Sequence, residues 1–156
     1  MSIERIASFT VDHDLLKPGI YISRIDGDVV TYDLRTCTPN AGVYMDNCTM
    51  HSVEHMFATF IRNSEIAPAV LYFGPMGCQT GFYLLVRSNV SQEQVLQAVL
   101  DTLQRILDYD GPVFGATRKE CGNYRNLSLQ SAKALCRSYL DTLRAAEPID
   151  FQYQKE

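Results

Sequence analysis

The sequence predicts an α+β fold, a two-layer sandwich in which an antiparallel β-sheet packs against α-helices. Two observations carry this. Alternating apolar residues at 20–25 and 29–36 flank Asp26-Gly27, and extended runs at 69–73 and 82–87 flank Gly74-Pro75-Met76-Gly77, so the strands pair as hairpins. Three separate stretches carry apolar residues at helical spacing. Hairpins combined with separate helices are the signature of an antiparallel layer with helices packed on it.

Taken in order, residues 8–11 form a short extended candidate, and the first hairpin follows, ended by Pro39-Asn40. From about residue 47 to 63, Met56, Phe57, Phe60 and Ile61 recur as one helical face, with Pro68 as the stop. After the second hairpin, Ser91 and Gln94 fit a capping box. The helix they open buries Val95, Leu96, Val99, Leu103, Ile106 and Leu107 and stops before Gly111-Pro112. Residues 115–124 read as loop or short strand. A last helix, about 128–145, carries Ala132, Leu135, Cys136, Tyr139, Leu140 and Leu143, and Pro148 closes it before a tail expected to be mobile.

The chain's 156 residues suit one domain, 1–156, with a real core, and 46% hydrophobic with 21% charged residues is an ordinary globular composition. A net charge of −4 argues against nucleic acid or an anionic membrane as the main partner, since both attract basic surfaces. No segment reads as a membrane span or signal peptide, and five cysteines, an odd number, read as reduced thiols in the cytoplasm. Cys37, Cys48 and Cys136 read as packing residues, Cys136 on an apolar helix face.

The sharpest chemical signal is His51-Ser52-Val53-Glu54-His55 on the first helix. At about 100° per residue, His51 and His55 lie roughly 40° apart and can grip one ion, with Glu54 on the same side able to move a proton beside it. A catalytic site of this kind needs a third protein ligand and one open position. His13, a carboxylate or a cysteine can supply it, and Cys121 in the loop Glu120-Cys121-Gly122-Asn123 is attractive because a thiolate binds borderline metals strongly.

With these residues in view, the chain resembles the S-ribosylhomocysteine lyase family, the autoinducer-2 synthases. The resemblance rests on ordered blocks: Ser8-Phe9-Thr10-Val11-Asp12-His13; Asp33-Leu34-Arg35 with Pro39-Asn40; His51-Ser52-Val53-Glu54-His55 followed by Arg62; Gly74 through Tyr83; and Glu120-Cys121-Gly122-Asn123-Tyr124 with Ser128-Leu129 and Ala132-Lys133. It implies His51, His55 and Cys121 as metal ligands, Glu54 and Cys78 as acid/base groups, and Ser8, His13, Arg35, Arg62 and Tyr83 around the substrate. It also implies a ferrous ion as cofactor, with zinc or cobalt able to replace it, and a homodimer whose sites lie between subunits. On that arrangement a mixture of Arg35 and Cys78 mutants is expected to complement. The commoner family form has an aspartate where this chain has Tyr72.

The implied reaction converts S-ribosylhomocysteine to homocysteine and 4,5-dihydroxy-2,3-pentanedione by carbonyl migration and β-elimination. It needs proton carriers near neutral pH and a Lewis acid. Two other readings share the histidine motif. An inverted-motif zinc peptidase would take a carboxylate as third ligand, and Glu120 adjoins Cys121. A metal-stabilised binding module would close the metal shell and leave Glu54 and Cys78 without a task.

Overall fold

The computed structural model describes residues 1–155. Strands β1 (Gly19–Asp26), β2 (Val29–Arg35), β3 (Val70–Pro75) and β4 (Gly81–Arg87) form one antiparallel sheet in the order β1-β2-β4-β3. Helices α1 (Asn47–Ile61), α2 (Gln92–Asp108) and α3 (Leu129–Ala145) make the second layer. The α+β reading with an antiparallel sheet is borne out.

Strand alternation divides the sheet into two faces. Ile20, Val30, Tyr32, Leu34, Phe73, Phe82, Leu84 and Val86 join the helices in the core. Phe57 of α1 stacks on Phe73 at 4.3 Å between ring centroids, and Phe73 stacks on Phe82 at 5.0 Å, so α1 is locked to the sheet through aromatic rings. The opposite face carries Thr31, Asp33 and Arg35 of β2, all buried, and Tyr83 of β4 opposite Asp33.

The helix ends obey their sequence signals. Ser91 caps α2 in a full capping box with Gln94, Asp46 caps α1 through Thr49, and Ser128 caps α3 through Ser131. Ser52, fully buried within the histidine motif, accepts from the Ser128 backbone N–H at 2.7 Å and donates to the Cys48 carbonyl at 2.6 Å. This ties the start of α3 to the metal-motif helix.

Three expectations need correction. Residues Ala7–Phe9 form a 3-10 turn and not a strand, because backbone N–H groups of Phe9 and Thr10 bond back to Ile6 and Ala7. Gly74 and Pro75 belong to β3, and the turn begins after them. Proline is tolerated there because β3 is an edge strand. The tail is docked: Phe151 is 5% exposed, and its carbonyl accepts from Ile22 N–H at 2.8 Å, beside the bulge where β1 shifts register. The tail thus covers part of an edge strand whose pairing groups would otherwise be free.

Candidate metal centre and thiol cleft

His51 and His55 lie one turn apart on α1, their rings crossing at 90° with centroids 4.6 Å apart. Each is oriented by a backbone carbonyl from the loop before α3. The Nδ1 of His51 donates to the Asn126 carbonyl at 2.9 Å, and that of His55 to the Phe114 carbonyl at 2.7 Å. These contacts assign the proton to Nδ1 and leave both Nε2 lone pairs for a ligand. Cys121 Sγ lies 3.4 Å from His51 Nε2 and accepts from the Asn123 backbone N–H at 3.4 Å. One donor atom from each of His51, His55 and Cys121 falls within 4.8 Å of the others. Two imidazole nitrogens and one sulfur at this spacing fit a divalent ion of borderline softness. The sequence had left Cys121 competing with His13 and Glu120 for the third place. Geometry selects Cys121, while His13 lies in a separate cleft and Glu120 bonds Thr117.

Glu54 shares the exposed side of α1 with the two histidines and enters none of the ion pairs among the described residues, so its carboxylate is uncommitted. Arg62 caps the end of α1 and donates to the Leu71 carbonyl at 3.0 Å. Eleven residues after His51, it falls within about 20° of the same helical stripe.

Gly115 explains the loop's fit. Its φ of +69° suits glycine, and a Cβ there would lie 3.2 Å from His55 Nδ1. The sequence showed Gly115 only as the start of a loop. Asn126, Phe114 and Gly115 were missed because their task is done by backbone atoms, which leave no side-chain signature.

The second group of predicted residues gathers elsewhere. Ser8, His13, Arg35, Cys78 and Tyr83 line one cleft of about 500 Å³, together with Asp33 and Tyr153. Arg35 and Asp33 are 3% and 1% exposed and form a two-pronged ion pair at 2.7 and 3.1 Å. Burial pulls the Arg35 pKa down, but the hydrogen bonds and charge of Asp33 outweigh it and leave it raised. The remaining prong, Nη1, donates to Thr80 Oγ1 at 2.8 Å and points at Cys78 Sγ, 3.8 Å away. Thr80 Oγ1 accepts from Arg35 and also lies 3.0 Å from Cys78 Sγ, within hydrogen-bond reach of the thiol. Burial, then the charge of Asp33, raises the Tyr83 phenol and keeps it protonated.

Arg35 and Cys78 therefore belong to the same side of one chain, and the expectation that their mutants complement is corrected. The turn holding Cys78 is set by the residue after it. The left-handed residue is Gln79, φ +65°, and none of the neighbouring glycines. Gln79 is held by mutual bonds with Met45: its side-chain amide donates to the Met45 carbonyl, and its own carbonyl accepts from Met45 N–H. Tyr72 is 52% exposed, and its ring folds along its own strand over Gly74, where a Cβ would meet the phenol oxygen. Cys136, by contrast, is a core thiol whose pKa burial pushes up to about 12.

None of the metal-ligand set, nor Glu54, lines the Cys78 cleft among the described residues. One chain thus presents two separate groups, one able to hold a metal beside a free carboxylate and one holding a thiol beside a buried guanidinium.

Comparison with known proteins agrees with this constellation. A family model described as S-ribosylhomocysteinase (LuxS) matches residues 6–148. An S-ribosylhomocysteine lyase of Borreliella afzelii is 38% identical over 97% of this chain and 99% of its own length. Those of Clostridium beijerinckii and Clostridium acetobutylicum are 40% and 43% identical over 90% and 83% of this chain, and 92% and 85% of their own. With the His51, His55 and Cys121 set and the motif residues of the Cys78 cleft inside the matched region, the chain belongs to the S-ribosylhomocysteinase (LuxS) family.

Proposed function

We infer that this protein is a carbon–sulfur lyase that cleaves S-ribosylhomocysteine to homocysteine and 4,5-dihydroxy-2,3-pentanedione, the autoinducer-2 precursor. The observation that carries the reading is the pairing of a His/His/Cys ligand set with a separate cleft that holds a thiol, a guanidinium and family motifs in one chain. The whole chain, 1–156, acts as one lyase domain.

His51, His55 and Cys121 would hold the divalent ion, for which ferrous iron is the first choice on family resemblance and zinc or cobalt can substitute. When bound, it supplies Lewis acidity to the sugar carbonyl. Cys78 removes a proton from the hydroxyl-bearing carbon beside that carbonyl and returns it to the former carbonyl carbon, while the hydroxyl proton passes to the former carbonyl oxygen, which moves the carbonyl one carbon along the chain. Glu54 carries the next proton shift. It then takes the proton whose loss expels sulfur, and gives a proton to the departing homocysteine thiol. In this reading Tyr83, Ser8, His13 and Arg35, which line the thiol cleft, border the sugar, and Arg35 and Arg62 are the candidates for substrate hydroxyls and the homocysteine carboxylate.

The two groups are half-sites that unite in a homodimer. Helices α1, α2 and α3 pack on the opposite face of the sheet, the face that bears Asp33 and Arg35 forms the thiol cleft, and Phe9 and Tyr72 expose large aromatic surfaces. A second copy on that face would bring its metal helix to the Cys78 cleft. The five unpaired cysteines support a reducing, cytoplasmic setting.

The peptidase reading is not favoured, since its expected carboxylate ligand is replaced by Cys121. Anaerobically purified protein should release free thiol from S-ribosylhomocysteine and leave a peptide substrate intact. Cys78→Ala and Glu54→Gln should each keep the metal and lose turnover by about two orders of magnitude or more. Mixing these two variants should restore about a quarter of wild-type activity, since half of randomly paired dimers have one intact site of two. Mixing Arg35→Ala with Cys78→Ala should restore none. Free-thiol release by neither wild type nor mixture would overturn the function, and release by wild type alone would overturn the shared site.

A further inference from the structure

The family match ends at residue 148, yet the structure continues into the thiol cleft. After α3 the chain turns back along β1. Phe151 is buried against Tyr32 at 6.0 Å between ring centroids, edge to face. Tyr153 stacks on Tyr21 at 4.9 Å, and Gln154 donates to the Tyr21 hydroxyl at 2.8 Å. These contacts deliver the Tyr153 hydroxyl to Asp33, where it donates to Oδ2 at 2.7 Å. That same oxygen receives Arg35 Nη2.

We propose that Tyr153 is a positioning residue for the lyase reaction, acting on Cys78 through Asp33 and Arg35, so that the docked C-terminal strap forms a working wall of the thiol cleft. The argument is geometric. Arg35 reaches Thr80 and Cys78 with one nitrogen because its other two are pinned by Asp33. Asp33 is on β2, two residues before Arg35 on the same face, and its carboxylate must be turned toward the guanidinium edge. The Tyr153 phenol supplies a further hydrogen bond that fixes this rotation. Burial and the charge of Asp33 raise the Tyr153 pKa, so the phenol stays a donor through the neutral range. Asp33, Arg35 and Tyr153 leave no oxygen or nitrogen of the pair to wander, and the end of the chain sets the direction of the thiol's cationic neighbour.

The proposal rests on the lyase reading, and the test separates the two. Tyr153→Phe removes the hydroxyl and keeps the ring that stacks on Tyr21; a chain stopped after Gln152 removes the ring as well and keeps Phe151. With S-ribosylhomocysteine, kcat should fall about tenfold in both, the scale of one lost hydrogen bond to a charged group, with KM changed by less than about twofold and bound metal unchanged. The rate of Cys78 alkylation by iodoacetamide, followed peptide by peptide across neutral pH, should shift in the same variants, while Cys37 and Cys48 keep their rates. Wild-type kcat, a loss that tracks metal release, or an unchanged Cys78 alkylation profile would each overturn the proposal. If wild type itself failed to cleave the substrate, the lyase reading would fall, and the alkylation profile would still decide whether Tyr153 governs Cys78.

Discussion

The metal centre and the thiol cleft hold their chemistry in opposite ways. At the metal centre a single helix sets two ligands by its pitch, and backbone carbonyls of Phe114 and Asn126 aim them. At the cleft, side chains hold side chains: Asp33 pins Arg35, Arg35 and Thr80 face Cys78, and Tyr153 steadies Asp33 from the far end of the chain. The first arrangement is held by backbone atoms and tolerates changes of neighbouring side chains, as long as the loop backbone keeps its path. The second depends on buried charges, so a single truncation there should destabilise the fold as well as the site.

Asp33→Ala sharpens this contrast most. It leaves the Arg35 guanidinium buried at 3% exposure with no counter-charge. Removing one partner of such a pair costs about 3–5 kcal/mol. Denaturant unfolding of the variant should show that loss, whereas His55→Ala at the metal centre should lose metal with a far smaller change in the stability of the metal-free protein. Equal losses for the two would mean that the cleft's ion pair is no more structural than a ligand histidine.

The same contrast explains what the sequence made legible. The histidine pair was readable because four residues on a helix bring two side chains to one face, a rule that needs no tertiary knowledge. The hairpins and caps were readable for the same reason: Ser91 and Gln94, three residues apart, formed the box they predicted. Asp33 could be quoted as part of a motif but not as a buried counter-ion, because its surroundings include Tyr153, 120 residues away. The tail looked mobile since nothing local holds it; its anchors, Ile22 and Tyr21, are on another strand. That Arg35 and Cys78 would share one cleft apart from the histidine pair was likewise not readable from residue order, which does not say which face of a sheet meets which helix.

Gly115→Ala breaks the comparison from the metal side. Here a backbone position, with no ligand atom of its own, should control metal affinity. An alanine at φ +69° costs about 1–2 kcal/mol, and its Cβ would press on the His55 ring at Nδ1, disturbing the bond to the Phe114 carbonyl. Competition with a chelator should show about tenfold weaker metal binding, the lower end of what disturbing a ligand's hydrogen bond produces. The Cys78 alkylation rate should not change. A variant that binds metal as wild type would mean that His55 is oriented by α1 alone.

The smallest effect belongs to a region outside the metal centre and the thiol cleft. Ser91→Ala deletes the side-chain oxygen that accepts from Gln94 N–H at 3.1 Å and leaves the first turn of α2 one bond short. The expected cost is about 1 kcal/mol. Neither the ligand loop nor the Cys78 turn touches this cap, and α2 contributes to the core through its opposite end as well, in Leu103 and Ile106. Unfolding should move to lower denaturant with kcat, KM and metal content unchanged. That outcome would give a measure of pure stability loss against which Asp33→Ala and Gly115→Ala can be read. A fall in turnover at this distance would instead mean that α2 transmits its packing to α1 and the ligands it carries, and the ligand helix would then depend on α2 as well as on the loop carbonyls that aim its histidines.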